Sequence, residues 1–235
     1  MRAVVLAGGL GTRLRPYTTV LPKPLVPIGD RPVLEHILLR LHRSGVRDVD
    51  LCVGHLGELI QVYFSQANVL PADLTLRWHW EATPLGTAGA LRIVPDLNGT
   101  FVAMNGDILT TLDYQELVHF HEQTGAALTV AMHAKRVDID LGVIEADGDR
   151  IVGYREKPRL DYDVSMGVYA YDERALAHIP DEGPCQFPDL VRLLLDAGEH
   201  VAGFRSEAEW FDIGTPAEHQ RAASAFEADP GAFAP

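Results

Sequence analysis

The chain has 235 residues, 47% of them apolar, and sets 20 basic against 33 acidic side chains for a formal net charge of −13. Nothing in the composition divides the halves, so residues 1–225 are expected to form a single domain and residues 226–235 a frayed tail. The acidity excludes an extended nucleic-acid surface, which needs clustered Lys and Arg, and leaves room for a small anionic ligand where a few cations converge.

In chain order, RAVVL (2–6) is a β-branched apolar run ending at glycine, the pattern of a buried parallel strand. From Val33, VLEHILLRLHRSG puts Leu34, Ile37, Leu38 and Leu41 on one helical face and closes at Gly45. DVDLCVG (48–54) reads as a strand, ELIQVYF (58–64) as a helix and LTLRWHW (74–80) as an alternating strand. TAGALRIV reads as a short helix, FVAMN (101–105) as a buried strand and DYQELVHFHEQTG as an amphipathic helix opened by an Asp cap.

ALTVAMH, GVIEA, RIVGYRE and VSMGVYAY follow as strands, with an Asp-Gly turn in EADGDR (145–150). FPDLVRLLLDAG is a helix and VAGFR a strand. TPAEHQRAASAF is a final helix with Thr215 as cap and Pro216 at its first position. Strands alternating with helices predict an α/β fold: a three-layer, Rossmann-like, mixed but mainly parallel sheet with helices on both faces.

The two cysteines, Cys52 and Cys185, form no metal or redox spacing, and the ten histidines form no HExxH-like pattern. The first apolar run stops at Gly8, and no stretch reaches the roughly 18 apolar residues of a membrane span. These features predict a soluble, unexported protein of the reducing cytoplasm, with no membrane partner.

The chemistry concentrates in LAGGLGTRLRPYTTVLPKPLVPIG (6–29). Following the first strand, this loop sits at the carboxyl edge of the sheet, where open α/β folds bind ligands. A dinucleotide fingerprint would need glycine at position 14, where Leu14 stands; a P-loop would need Gly-Lys-Ser/Thr, where Thr12-Arg13 stands. Pro16, Pro22, Pro24 and Pro27 forbid a helix. What remains is the backbone N–H groups of Gly8, Gly9 and Gly11, Arg13 able to fork two phosphate oxygens, and Lys23 on a stiff Pro-Lys-Pro support.

The stretch GGLGTRLRPYTTVLPKPLVPIGDRPVLEH (8–36) strongly resembles the N-terminal motif of the sugar-1-phosphate nucleotidyltransferases, or nucleoside-diphosphate-sugar pyrophosphorylases. EATPLGTAGAL (81–91), NGDIL (105–109), EKP (156–158), VSMGVY (164–169) and WFDIGTP (210–216) match the family's later motifs in order. The resemblance implies the GT-A-like nucleotidyltransferase fold and a Mg²⁺-dependent transfer from a nucleoside triphosphate to a sugar 1-phosphate, releasing pyrophosphate. These two substrates are the implied partners, with self-association into a homo-oligomer allowed.

Carried over residue by residue, the resemblance makes Arg13 and Lys23 catalytic, acting on the leaving phosphates and the α-phosphate, and makes Asp107 and Asp212 the Mg²⁺ ligands. The nucleotide would be bound by Leu6, Ala7, Gly8, Gly9, Gly11, Thr12 and Arg13 of the first loop, by Glu81, Pro84, Gly86 and Thr87, and by Asn105 and Asp107. The sugar phosphate would be held by Gly142, Glu156, Lys157, Ser165 and Gly167.

Glu81 stands where the family faces the base edge. A carboxylate there suits the N1–H and N2–H₂ donors of guanine, which points to GTP with a mannose- or heptose-type sugar 1-phosphate. Ser165 in VSMGVY looks more like the adenylyltransferases acting on glucose 1-phosphate, and Leu141 replaces the family's tyrosine in DLGVIE. Glucose-1-phosphate thymidylyl-, uridylyl- and adenylyltransferases therefore stay open as alternatives. An inactive regulatory homologue would be free to lose Arg13, Lys23, Asp107, Lys157 or Asp212, and all five are present. The chain ends about where the family's appended β-helix would begin, so no acyltransferase activity is expected.

Overall fold

The computed structural model describes residues 1–66 and 69–233. The elements in chain order are β1 (Arg2–Ala7), β2 (Pro27–Ile28), β3 (Arg31–Pro32), α1 (Val33–Arg43), β4 (Asp48–Val53), α2 (Gly57–Gln66) and β5 (Thr75–Trp80). There follow β6 (Thr100–Asn105), β7 (Ile108–Thr110), α3 (Tyr114–Thr124), β8 (Leu128–Asp138), β9 (Val143–Asp147), β10 (Arg150–Arg155) and β11 (Arg159–Asp172). The last are α4 (Phe187–Asp196), β12 (Val201–Arg205), β13 (Trp210–Asp212), α5 (Pro216–Ala228) and α6 (Pro230–Phe233).

A seven-stranded sheet runs in the order β12-β8-β11-β6-β1-β4-β5. β11 is antiparallel to both its neighbours, while the other contiguous pairs are parallel. The fold is thus the mixed, mainly parallel α/β sheet expected. The central strands are buried on both faces, which is why RAVVL and FVAMN read as continuous apolar runs. Alternate residues of β1 feed two cores: Ala3, Val5 and Ala7 pack with α1, α3 and α5, whereas Val4 packs with Leu91, Ala175 and the α4 leucines. Three layers result.

Local chemistry sets the helix ends. Asp113 accepts the N–H groups of Gln115 and Glu116, Gly125 closes α3 in the left-handed conformation, and Thr215 accepts from Glu218 N–H with Pro216 at the first helical position.

Several elements differ from the sequence reading. TAGALRIV forms a 3-10 turn, Gly89–Ile93, because Gly86 is left-handed (φ +80°) and the Ala88 and Gly89 N–H groups are drawn to the Cys185 carbonyl. β7 and β13 pair antiparallel, Trp210 opposite Thr110, as short strands with no local pattern to announce them. The expected frayed tail is corrected as far as residue 233: α5 continues to Ala228, and α6 turns Phe233 into the core, 6.2 Å from the rings of both Phe211 and Phe226. Among the described residues, no helix is long and apolar enough to cross a membrane.

Candidate active site

Parallel strands β1, β4 and β6 end side by side, so the segments that follow them share one edge. After β1 comes the glycine loop, after β4 Gly54-His55, and after β6 Gly106-Asp107. Glycine is needed where these backbones touch: a Cβ on Gly106 would lie 3.0 Å from the Leu6 carbonyl oxygen, and one on Gly54 3.0 Å from that of Gly8.

Beyond Gly11 (φ +60°) the chain folds into 3-10 turns at Thr12–Leu14, Tyr17–Thr19 and Lys23–Leu25, so the prolines do keep it out of an α-helix. Buried Leu14, Pro24, Leu25 and Val26 anchor it, and buried Thr18 donates its hydroxyl to the Gly11 carbonyl at 2.7 Å. Arg13 and Lys23 are thereby presented from a fixed backbone.

Two adjoining cavities open at this edge. The larger, about 600 Å³, is lined by the glycine loop, Arg13, Lys23, His55 and Asp107. The other, about 300 Å³, is lined by Leu6, Ala7, Gly8, Pro84, Gly86, Thr87, Asn105 and Gln186 among others. Gly8, Gly9, Lys23, Glu81, Pro84 and Asp107 line both. Gly11, Thr12 and Arg13 face the first cavity alone, so every residue expected to bind nucleotide lies on one or other wall.

Where the cavities meet, the Lys23 ammonium pairs with Asp107 Oδ2 and lies 3.8 Å from Asp212 Oδ1. Three groups from the first loop, the end of β6 and the end of β13 thus converge. Burial pushes the Asp107 carboxyl above its ordinary range, more than the neighbouring ammonium pulls it down. Its other oxygen, Oδ1, is buried with no hydrogen-bond partner. Among the described residues no cluster of three or more His, Cys, Asp or Glu could enclose a metal. Two carboxylates, one with an unsatisfied inward oxygen, nonetheless fit a hard cation such as Mg²⁺, which takes one or two protein carboxylates and completes its shell with phosphate and water. Gly214 matters here: a Cβ on it would lie 3.2 Å from Asp212 Oδ1 and 3.4 Å from Arg13 Nη2.

Glu81 follows β5 with a more constrained carboxylate than the sequence suggests. Its Oε2 accepts the Leu85 N–H at 2.9 Å, and Oε1 packs against Gly8, leaving no room for a Cβ there.

The residues expected to hold the sugar phosphate line neither cavity. Gly142 packs under the Tyr154 ring, and the Tyr154 hydroxyl donates to Glu156 Oε2 at 2.6 Å. Lys157 is exposed after β10 in the left-handed region (φ +42°). Ser165 and Gly167 sit at a bulge where β11 slips against β8. Gly167 (φ +71°) lies directly under the Asn105 amide, and Ser165 donates to the Tyr169 hydroxyl at 3.3 Å.

Among the wall residues that the sequence reading does not single out are His55 and Gln186. His55 could have been found from its place after a parallel strand, since such ends share one edge. Gln186 could not: CQFP reads only as the start of a helix, and its approach to the Gly86 turn is long-range.

The profile of the nucleotidyl transferase family matches residues 2–229. The chain is 32% identical to a UTP–glucose-1-phosphate uridylyltransferase of Synechocystis sp., over 94% of this chain and 62% of that one. It is 31% identical to a mannose-1-phosphate guanylyltransferase of Mycobacterium tuberculosis, over 93% and 62%. The chain thus spans about three-fifths of the length of these curated relatives. Among solved structures, HddC from Yersinia pseudotuberculosis superimposes with a TM-score of 0.75 at 24% identity, covering 96% of this chain and 99% of that one, and so shares the fold.

Proposed function

The chain belongs to the nucleotidyl transferase family, and from that premise we propose that it is a sugar-1-phosphate nucleotidyltransferase, making a nucleotide sugar and pyrophosphate. The observation that carries this reading is the meeting of Lys23, Asp107 and Asp212 at the junction of two cavities, one lined by the glycine loop and Arg13, the other by the Pro84–Thr87 turn. The phosphate of a sugar 1-phosphate is an anion at neutral pH, so attack on the α-phosphorus needs no general base. Positioning and charge neutralisation must supply the catalysis.

The backbone N–H groups of Gly8, Gly9 and Gly11 would cradle the triphosphate, and Arg13, beside Gly214, would fork oxygens of the leaving pyrophosphate. Lys23 would neutralise charge at the α-phosphate. Asp107 and Asp212 would hold Mg²⁺, whose chemistry there would be to offset phosphate charge. On the acceptor side, Lys157 would pair with the sugar phosphate and Glu156 would accept from sugar hydroxyls. Both follow directly on the hairpin β9–β10, and this segment would have to approach the cavities with substrate bound.

For the base we favour guanine and for the acceptor a mannose- or heptose-type sugar 1-phosphate. Glu81 supports this choice: Oε1 and the second lone pair of Oε2 can accept the N1–H and N2–H₂ donors. The curated relatives support the reaction class while dividing over base and sugar. Cys52 and Cys185, buried and unpaired as thiols, suit a reducing cytoplasm. The test is pyrophosphate release across GTP, ATP, UTP, CTP and dTTP, each with mannose, heptose and glucose 1-phosphates. GTP should lead; a wide margin for UTP or dTTP with GTP inert would overturn the assignment to Glu81.

A further inference from the structure

The smaller cavity is lined by two carboxamide side chains from different halves of the chain, Asn105 and Gln186. Segment 185–187 is clamped to the Gly86 turn. Cys185 N–H donates to the Leu85 carbonyl at 2.8 Å, the Cys185 carbonyl accepts from Ala88 and Gly89 N–H at 3.0 and 2.9 Å, and Phe187 N–H donates to Thr87 Oγ1 at 2.8 Å. The clamp holds the Gln186 side chain over the turn, Oε1 3.4 Å from Thr87 N and Nε2 3.0 Å from where a Gly86 Cβ would stand. That Thr87 contact is long for an amide hydrogen bond, so the carboxamide can turn toward a better partner.

Asn105 stands beside Leu6 in the sheet; its Oδ1 is buried with no partner, and its Nδ2 rests over Gly167. A buried acceptor left without a donor is unfavourable, so a ligand that supplies one gains there. A ring stack ties Gln186 to the residues expected on the acceptor side. Phe187 stacks on Tyr169 with ring centroids 3.8 Å apart, and Tyr169 in turn receives the Ser165 hydroxyl.

An acceptor and a donor lining one cavity fit a group that is both donor and acceptor, as a ring hydroxyl is. We infer that Asn105 and Gln186 are a specificity-determining pair for the hydroxyls of the sugar 1-phosphate, Asn105 Oδ1 accepting a hydroxyl proton and Gln186 Nε2 donating to a hydroxyl oxygen. The inference rests on the reaction proposed above, and it moves Asn105 from the nucleotide to the acceptor sugar.

The test compares wild type with Gln186→Ala and Asn105→Ser, using the best sugar 1-phosphate and its monodeoxy analogues, after thermal melts confirm that each variant folds. Each variant should raise KM for the sugar phosphate about tenfold, the worth of one hydrogen bond between a neutral pair at its upper range, with kcat and the nucleotide KM kept. For one deoxy analogue the penalty seen in wild type should vanish in the variant. An unchanged sugar KM, a rise in nucleotide KM instead, or equal added losses for every analogue would overturn the pairing. If wild type turns over no pair of substrates, the proposed reaction fails separately. Calorimetric titration with the same sugar 1-phosphates then decides the pairing: binding weakened in Gln186→Ala supports it, and equal binding overturns it.

Discussion

Gly86→Ala tests how the turn that lines the smaller cavity is held. Gly86 has φ +80°, and a Cβ there would lie 2.5 Å from the Cys185 carbonyl oxygen. The left-handed conformation costs a non-glycine residue about 1 kcal/mol. Relieving the contact requires the two backbones to separate by about 1 Å, since carbon needs ordinary van der Waals distance. That movement lengthens the bonds from Ala88 and Gly89 to Cys185 O and from Cys185 to Leu85 O, now 3.0, 2.9 and 2.8 Å, beyond useful range. At about 1 kcal/mol each, with partial relaxation, the total loss is about 3 kcal/mol. For a chain of this size, Tm should fall by roughly 9 °C. Gly99→Ala is the control: φ is +65° and nothing lies within 4 Å of a Cβ, so it carries the conformational cost alone, about 3 °C. Scanning fluorimetry and urea unfolding read both. If Gly86→Ala were no more destabilising than Gly99→Ala, the clamp would not hold the turn.

Asp107→Asn and Asp212→Asn should each lower pyrophosphate release at least a hundredfold while the urea midpoint stays within about 1 kcal/mol of wild type; full activity in either would remove the two-carboxylate metal reading. Stability should fall on acidification through two buried histidines. Burial lowers the pKa of His36, whose Nε2–H donates to the Ile28 carbonyl, and of His121, whose Nδ1 bonds Thr129. A depressed folded pKa means the unfolded chain takes up the proton first. The stabilisation is therefore whole above about pH 6.5 and is lost as pH falls through the folded values. Urea unfolding at pH 8.0 and 5.5 should show a smaller pH dependence in His121→Asn than in wild type, and an equal dependence would refute the assignment.

Much of the scaffold could be read from local chemistry. The buried runs of β1 and β6, the apolar face of α1, the Asp113 and Thr215 caps and the Asp-Gly turn between β9 and β10 each carry their own signal. What was missed is long-range. β7 and β13 stabilise each other across a hundred residues, and the 3-10 turn at Gly89 exists because Cys185 draws the backbone round. β11 begins at Arg159, well before the apolar VSMGVYAY, because its first half is an exposed ladder of charges paired with β8, including Arg159 to Asp138 and Asp161 to Arg136. At the site, the glycine loop and the two aspartates were visible as motifs, whereas Gln186 reaches the cavity only through the clamp at residue 185.

The central claim is the fate of the α-phosphorus. Phosphorus NMR of GTP with mannose 1-phosphate and Mg²⁺ should show pyrophosphate and a GDP-linked sugar appearing in equal amounts as both substrates disappear. Release of orthophosphate, or loss of GTP with the sugar phosphate untouched, would contradict the account.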